Sequence, residues 1–159
     1  MYNLHLSLKE NKLQEVINIL TKMFKILPYS FFLEDVERKD KKGNVTIVQR
    51  QVSENFYHAV IYLIFNILAI QMRVEMLSSE GRIDAVVETN THLYLFEFKK
   101  GRKPKDAIQQ IWDNRYAALY FLQNKQIVFI GVCFTAQKRG ISGSVILNLE
   151  DVETYLAVL

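Results

Sequence analysis

The chain has 159 residues, half of them hydrophobic and 23% charged, which excludes a disordered tail and predicts one core burying about two thirds of the unfolded surface. Its net charge of +3 is only mildly basic, so nucleic acid is an admissible partner and not a required one. The single cysteine, Cys133, excludes an internal disulfide, and no run reaches the roughly 18 apolar residues of a membrane span. With no signal-peptide pattern at its start, the chain is expected in a reducing, cytoplasmic compartment, away from membranes.

The first predicted element is a helix from about Leu8 to Leu27. Ser7-Leu8-Lys9-Glu10 has the form of a capping box, and Leu13, Val16, Ile17, Leu20, Met23, Phe24 and Leu27 recur at helical spacing until Pro28 stops the run. That stripe is packing, into a core or, in another reading, against a second copy of the chain as a homodimer. Tyr29 to Gln51 reads as a hairpin with a charged tip, where Arg38, Lys39, Lys41 and Lys42 are either a solvated turn or contacts to a phosphate backbone. A second helix is predicted over about 53–70, apolar nearly all round and buried against a sheet, with Ser53 at its N-cap and Glu54 and His58 on one face. Gln71 to Leu77 then reads as the first core strand, carrying Glu75, and Ser78-Ser79-Glu80-Gly81 as the loop that leaves it.

Gly81 to Lys100 is the stretch on which the chemistry turns. Two strands rich in β-branched and aromatic residues flank a short polar break, so a β-hairpin is predicted. With Asn90-Thr91 as a two-residue loop, the register sets Asp84 opposite Glu97 and Arg82 opposite Lys99. Carboxylates facing each other across a pair lie about 4.5–5.5 Å apart and repel, and their neighbours Ile83, Val86, Leu95, Phe96 and Phe98 leave little room for water. A hard divalent cation would neutralise them. Lys99 follows Glu97 at the strand period, so Asp84, Glu97 and Lys99 form one constellation. The plainer reading is a solvated cross-strand salt bridge.

Gly101-Arg102-Lys103-Pro104-Lys105 is the most basic stretch and adjoins this constellation; it is either a solvated loop or a phosphate contact. Pro104 suits the first turn of a helix running to about Leu122, with Ala107, Ile111, Ala118, Leu119 and Leu122 buried and Trp112 either packing or, as an exposed indole, stacking a base. Gln126 to Thr135 is a continuous apolar strand, parallel to the Glu97 strand because a helix connects them, and it holds Cys133 as a small core residue. Lys138-Arg139-Gly140 turns the chain into a last strand, Ile141 to Leu147, and a short helix from about Leu149. The whole of 1–159 reads as a single domain: an N-terminal helix within 1–28, a core over 53–135, and a C-terminal strand and helix over 136–159.

Asp84 followed, after a short hairpin, by Glu97-Phe98-Lys99 resembles the core motif of the PD-(D/E)xK nuclease superfamily. Glu54 with Tyr57-His58, Gly81-Arg82-Ile83-Asp84, Ala107 through Gln110 to Tyr116, and Ile130 to Phe134 extend that likeness over the C-terminal two thirds of the chain. They resemble more closely the nuclease-like domain at the C-terminus of bacterial proteins that carry an AAA-ATPase-like domain. Ile83 replaces the usual proline before the aspartate. The resemblance implies an α/β fold with a restriction-endonuclease-like αβββαβ core, a mixed sheet of four or five strands and helices on both faces. It also implies Mg²⁺- or Mn²⁺-dependent hydrolysis of phosphodiester bonds in DNA. In that reading Asp84, Glu97, the backbone carbonyl of Phe98 and Glu54 serve the metal, and Lys99 orients or deprotonates the attacking water. His58, Gln110, Tyr116, Arg102 and Lys103 meet the substrate, and an AAA-ATPase-like domain or protein is a partner. The alternative is a catalytically silent nucleic-acid-binding or interaction module on the same scaffold.

Overall fold

The computed structural model describes residues 2–78 and 81–158. Two helices open it, α1 (Tyr2–Lys9) and α2 (Leu13–Ile26), followed by a 3-10 turn at Tyr29–Phe32 and a two-stranded hairpin, β1 (Leu33–Lys39) and β2 (Val45–Gln51). Next come α3 (Glu54–Ile67), β3 (Met72–Ser78), β4 (Gly81–Glu88), β5 (His92–Lys100), α4 (Pro104–Asp113), β6 (Gln126–Thr135), β7 (Gly140–Asn148) and α5 (Leu149–Ala157). The five later strands form one mixed sheet in the order β3-β4-β5-β6-β7, antiparallel except for the parallel pair β5 and β6. The architecture is therefore α/β, and the succession α3-β3-β4-β5-α4-β6 is compatible with the expected core.

Strand β5 sits at the centre of this sheet with both faces covered, which is why Leu93 to Phe98 read as an almost unbroken apolar run. Tyr94, Phe96 and Phe98 pack toward α1, α2 and α3, and Leu93 and Leu95 toward α4 and α5. On the first side Tyr94 Oη donates to Leu8 O at 2.8 Å, tying the end of α1 to the sheet. On the second, Gly131 of β6 lets α4 lie close, because a Cβ there would stand 2.5 Å from Pro104 O and 3.0 Å from Ala107 Cβ.

Several boundaries differ from the sequence reading. The first helix is two helices: Ser7 lies inside α1, buried, with Oγ donating to Glu15 Oε2 at 3.0 Å, so it caps nothing. The break is at Asn11, whose φ of 55° is a left-handed value that asparagine adopts more readily than most residues. Ser53 occupies the N-cap of α3 without a side-chain capping bond. Nor is α3 buried all round: Tyr57, Ile61 and Phe65 face the sheet, while Leu63 and Ile67 are 59% and 67% exposed, since that side has no second layer over it. Helix α4 stops at Asp113, and left-handed Arg115 leads into a 3-10 turn at Tyr116–Tyr120. That change of period swings Leu119 and Leu122 outward and buries Tyr116, Ala117 and Tyr120 instead. Residues 79 and 80 of the loop after β3, and the side chain of Glu75, lie outside the described residues.

Gly131→Ala is expected to force α4 off β6 and cost about 1–3 kcal/mol, read as a drop of several degrees in the thermal midpoint by circular dichroism. An unchanged midpoint would mean that this close approach is not needed.

Candidate active site

The hairpin register is the one predicted from its two-residue loop: Glu88 pairs with Leu93 and Ala85 with Phe96, and Thr89 N–H donates to His92 O at 2.9 Å across Asn90-Thr91. The ladder ends at Ala85 and Phe96. Beyond that point the strands fork, and the Phe98 N–H donates to Asp84 Oδ2 at 2.8 Å. Asp84 thus fills the fork with its carboxylate where a strand partner would otherwise be. Glu97, next along β5, is 1% exposed, and its Oε1 accepts from Lys99 Nζ at 2.8 Å. Its other oxygen, Oε2, is buried with no hydrogen-bond partner.

Two residues of α3 close the site from the other side. Glu54, in the first turn, accepts the Lys100 N–H through Oε2 at 2.6 Å, and Lys100 Nζ reaches Gln51 O at 3.3 Å. His58, one turn on, leans over the Phe98 ring with centroids 5.0 Å apart, and its Nε2 stands 3.8 Å from Asp84 Oδ2, too far for a hydrogen bond. That nitrogen is also buried and unpartnered. His58 accompanies Asp84 here and not Glu54.

Burial sets the charge states. It pushes the Glu97 acid up, to about 7, the charge of Asp84 pushes the same way, and the Lys99 ammonium only partly offsets both. Asp84 is also raised by burial, against the Phe98 N–H, His58 and Lys99. Lys99 is pulled down by burial, yet its bond to Glu97 and the charges of Glu97, Asp84 and Glu54 leave it raised overall. A lysine of lowered pKa is thus not what the chain alone produces. Cys133 is pushed up to about 11 by burial and stays a neutral thiol in the core.

An orphaned carboxylate oxygen beside a second carboxylate is a donor set that fits a hard divalent cation. Asp84, Glu97 and the backbone carbonyl of Phe98 are the groups that would hold it. Glu54 spends Oε2 on the Lys100 N–H while its charge reaches Asp84 and Lys99; among the described residues no cluster of three or more His, Cys, Asp or Glu side chains forms a metal site.

The remaining predicted residues divide. Arg102 and Lys103 are exposed in the loop that begins one residue after Lys100. Gln110 is half-buried on α4. Tyr116 is 1% exposed, receives a hydrogen bond from Asn114 and donates through Oη to Arg82 O at 2.6 Å, so it holds the strand that carries Asp84 rather than lining an open face. The sequence reading passed over Asn55, Ala59, Tyr62 and Met72, which with His58, Asp84 and Phe98 surround a hollow of about 270 Å³. Their signal was available: residues 55, 58, 59 and 62 continue the face of Glu54 and His58 at helical spacing.

Comparison with known proteins adds three findings. The sequence model of the PD-(D/E)XK nuclease superfamily matches residues 52–143, more than half of the chain. A protein of Azotobacter chroococcum mcd 1, described as an uncharacterized protein in vnfD 5'region, is 38% identical over 98 residues, or 60% of this chain and 19% of that protein. The chain thus spans about a fifth of the length of this curated relative. No solved structure matches significantly.

The raised acids give a pH dependence in the metal-free protein. An acid that holds its proton more tightly when folded favours the native state at low pH, and this advantage is lost as pH rises from its unfolded value of 4.5 through its folded value of about 7. Glu97→Gln is expected to remove on the order of 2 kcal/mol of that loss. Urea unfolding with a chelator, near pH 5 and near pH 8, measures the difference; parallel profiles for variant and wild type would contradict it.

Proposed function

The chain belongs to the PD-(D/E)XK nuclease superfamily, and from that membership we propose that it hydrolyses phosphodiester bonds in DNA with Mg²⁺ or Mn²⁺ held by Asp84, Glu97 and the carbonyl of Phe98. The observation that carries this reading is the unpartnered oxygen of Glu97, buried next to a second carboxylate whose position is fixed by the Phe98 N–H. A bound divalent ion supplies Lewis-acid polarisation of the phosphate and lowers the pKa of a bound water.

The chain's own side chains supply orientation and charge. Lys99 Nζ, anchored on Glu97 Oε1, sets an ammonium beside the carboxylates, where it offsets negative charge developing on the phosphate. Burial and the surrounding carboxylates pull its proton affinity in opposite directions, so offsetting the carboxylate charge would let Nζ release its proton to solvent and, as the free amine, take one from the attacking water. Glu54 steadies the end of β5 through the Lys100 N–H and acts on the site at one remove. Arg102 and Lys103 meet the phosphates flanking the cleaved one, and His58, beside Asp84, meets a substrate oxygen once its ring turns toward it.

The proposal extends to an AAA-ATPase-like domain or protein as partner and to a cytoplasmic setting. A second reading has one observation in its favour: Lys99 already balances one oxygen of Glu97, as a catalytically silent nucleic-acid-binding or interaction module would require.

Calorimetric titration of Mn²⁺ and Mg²⁺, with a nicking assay on supercoiled DNA, separates the two. Wild type is expected to bind and cleave; Asp84→Ala loses both; Lys99→Ala keeps ion binding and loses about 100-fold or more in rate. A wild type that ignores both ions at millimolar concentration leaves the silent module standing.

A further inference from the structure

The hollow beside Asp84 gathers its polar groups at one end: Asn55, His58 and Asp84 lie there against the Phe98 ring, and Ala59, Tyr62 and Met72 make the rest apolar. Asn55, His58, Ala59 and Tyr62 all come from one stripe of α3, and the small side chain of Ala59 opens the gap between the imidazole and the phenol ring. Tyr62 is 43% exposed although it belongs to a helix whose other aromatic residues, Phe56, Tyr57 and Phe65, pack inward. From His58 to Tyr62 the helix rises about 6 Å.

A nucleotide has the same division over a similar length, with a charged phosphate at one end and a flat aromatic base at the other. A phosphate at the Asp84 end would carry its neighbouring base toward Tyr62, where an exposed ring and a thioether suit stacking, and the exposed Asn55 amide can bond the sugar or the base edge. A base stacked and paired inside a duplex cannot enter such a hollow. We propose that this hollow takes one nucleobase adjacent to the cleaved phosphate, so that the substrate strand is single or locally opened there. The proposal rests on the nuclease reading and names its substrate form.

Two sets of measurements test it. Binding of a fluorescein-labelled single-stranded oligonucleotide, followed by anisotropy in Ca²⁺, is compared for wild type, Tyr62→Phe, Tyr62→Ala and Ala59→Leu. The leucine fills the hollow at an exposed helix position that tolerates it. Tyr62→Phe is expected to bind like wild type, and Tyr62→Ala and Ala59→Leu about tenfold more weakly. In Mn²⁺, an oligonucleotide with one abasic residue next to the cleavage point is expected to be cut about tenfold more slowly than the intact strand by wild type, and at the same rate by Ala59→Leu. Wild type that binds no single strand, or that cuts intact and abasic strands alike, overturns the base pocket; in the latter case the nuclease reading survives. Tyr62-dependent binding without cleavage in either metal keeps the pocket and removes the hydrolysis.

Discussion

The constraint on which the rest depends is a carboxylate in the wrong place for stability. Glu97 lies on the central strand of the sheet, 1% exposed, between layers of apolar side chains. Removing an ion from water costs several kcal/mol unless partners replace the lost hydration, and here one oxygen has a lysine while the other has nothing. Asp84 adds repulsion rather than relief. Such an arrangement is poor as a structural salt bridge, and the cation proposed for it would supply the partner that the second oxygen lacks.

Holding that pair in place requires β4 and β5 to part, and three side chains manage the parting. Asp84 accepts the Phe98 N–H just beyond the last ladder pair, Glu54 accepts the Lys100 N–H at the strand's end, and Tyr116 donates to Arg82 O at the start of the opposing strand. Each satisfies a backbone group that would otherwise lose its partner where the pairing stops. Two of the three are also charged groups within electrostatic reach of Lys99. Backbone repair and site electrostatics are therefore carried by the same carboxylates, and Tyr116 acts on the chemistry only through the strand it supports.

What the sequence made legible was local and periodic. The hairpin register followed from a two-residue loop, and the alternation of β5 placed Glu97 and Lys99 together. What it hid depended on single residues that change a period. Nothing in Ser7-Leu8-Lys9-Glu10 says that Ser7 will be buried against Glu15, and left-handed Arg115 ends a helical pattern that continues unbroken on paper to Leu122. Tyr116 was expected to meet the substrate only through the family resemblance; in the 3-10 turn that position is buried in the core. The role of Glu54 was half legible: the helix position was, and the backbone N–H it serves, 46 residues away, was not.

The apolar character of α3 hid its second face for a related reason. A helix with so few polar residues reads as buried on all sides, yet only Tyr57, Ile61 and Phe65 are fully buried, with Phe56, Val60, Ile64 and Leu68 half-buried beside them. Once one stripe is spent on the core, the opposite one must be explained by something other than folding, since exposed Tyr62, Leu63 and Ile67 gain nothing from it. The part of that stripe nearest Asp84 lines a hollow and carries Asn55 and His58; the part beyond carries Leu63, Asn66 and Ile67, and there the Asn66 amide is turned back onto the Tyr62 carbonyl, donating to it at 2.8 Å. The two ends of one helix face thus differ in surroundings: the first turns flank the strand that carries Asp84, and the last turns face away from it with their one amide already bonded to the helix backbone.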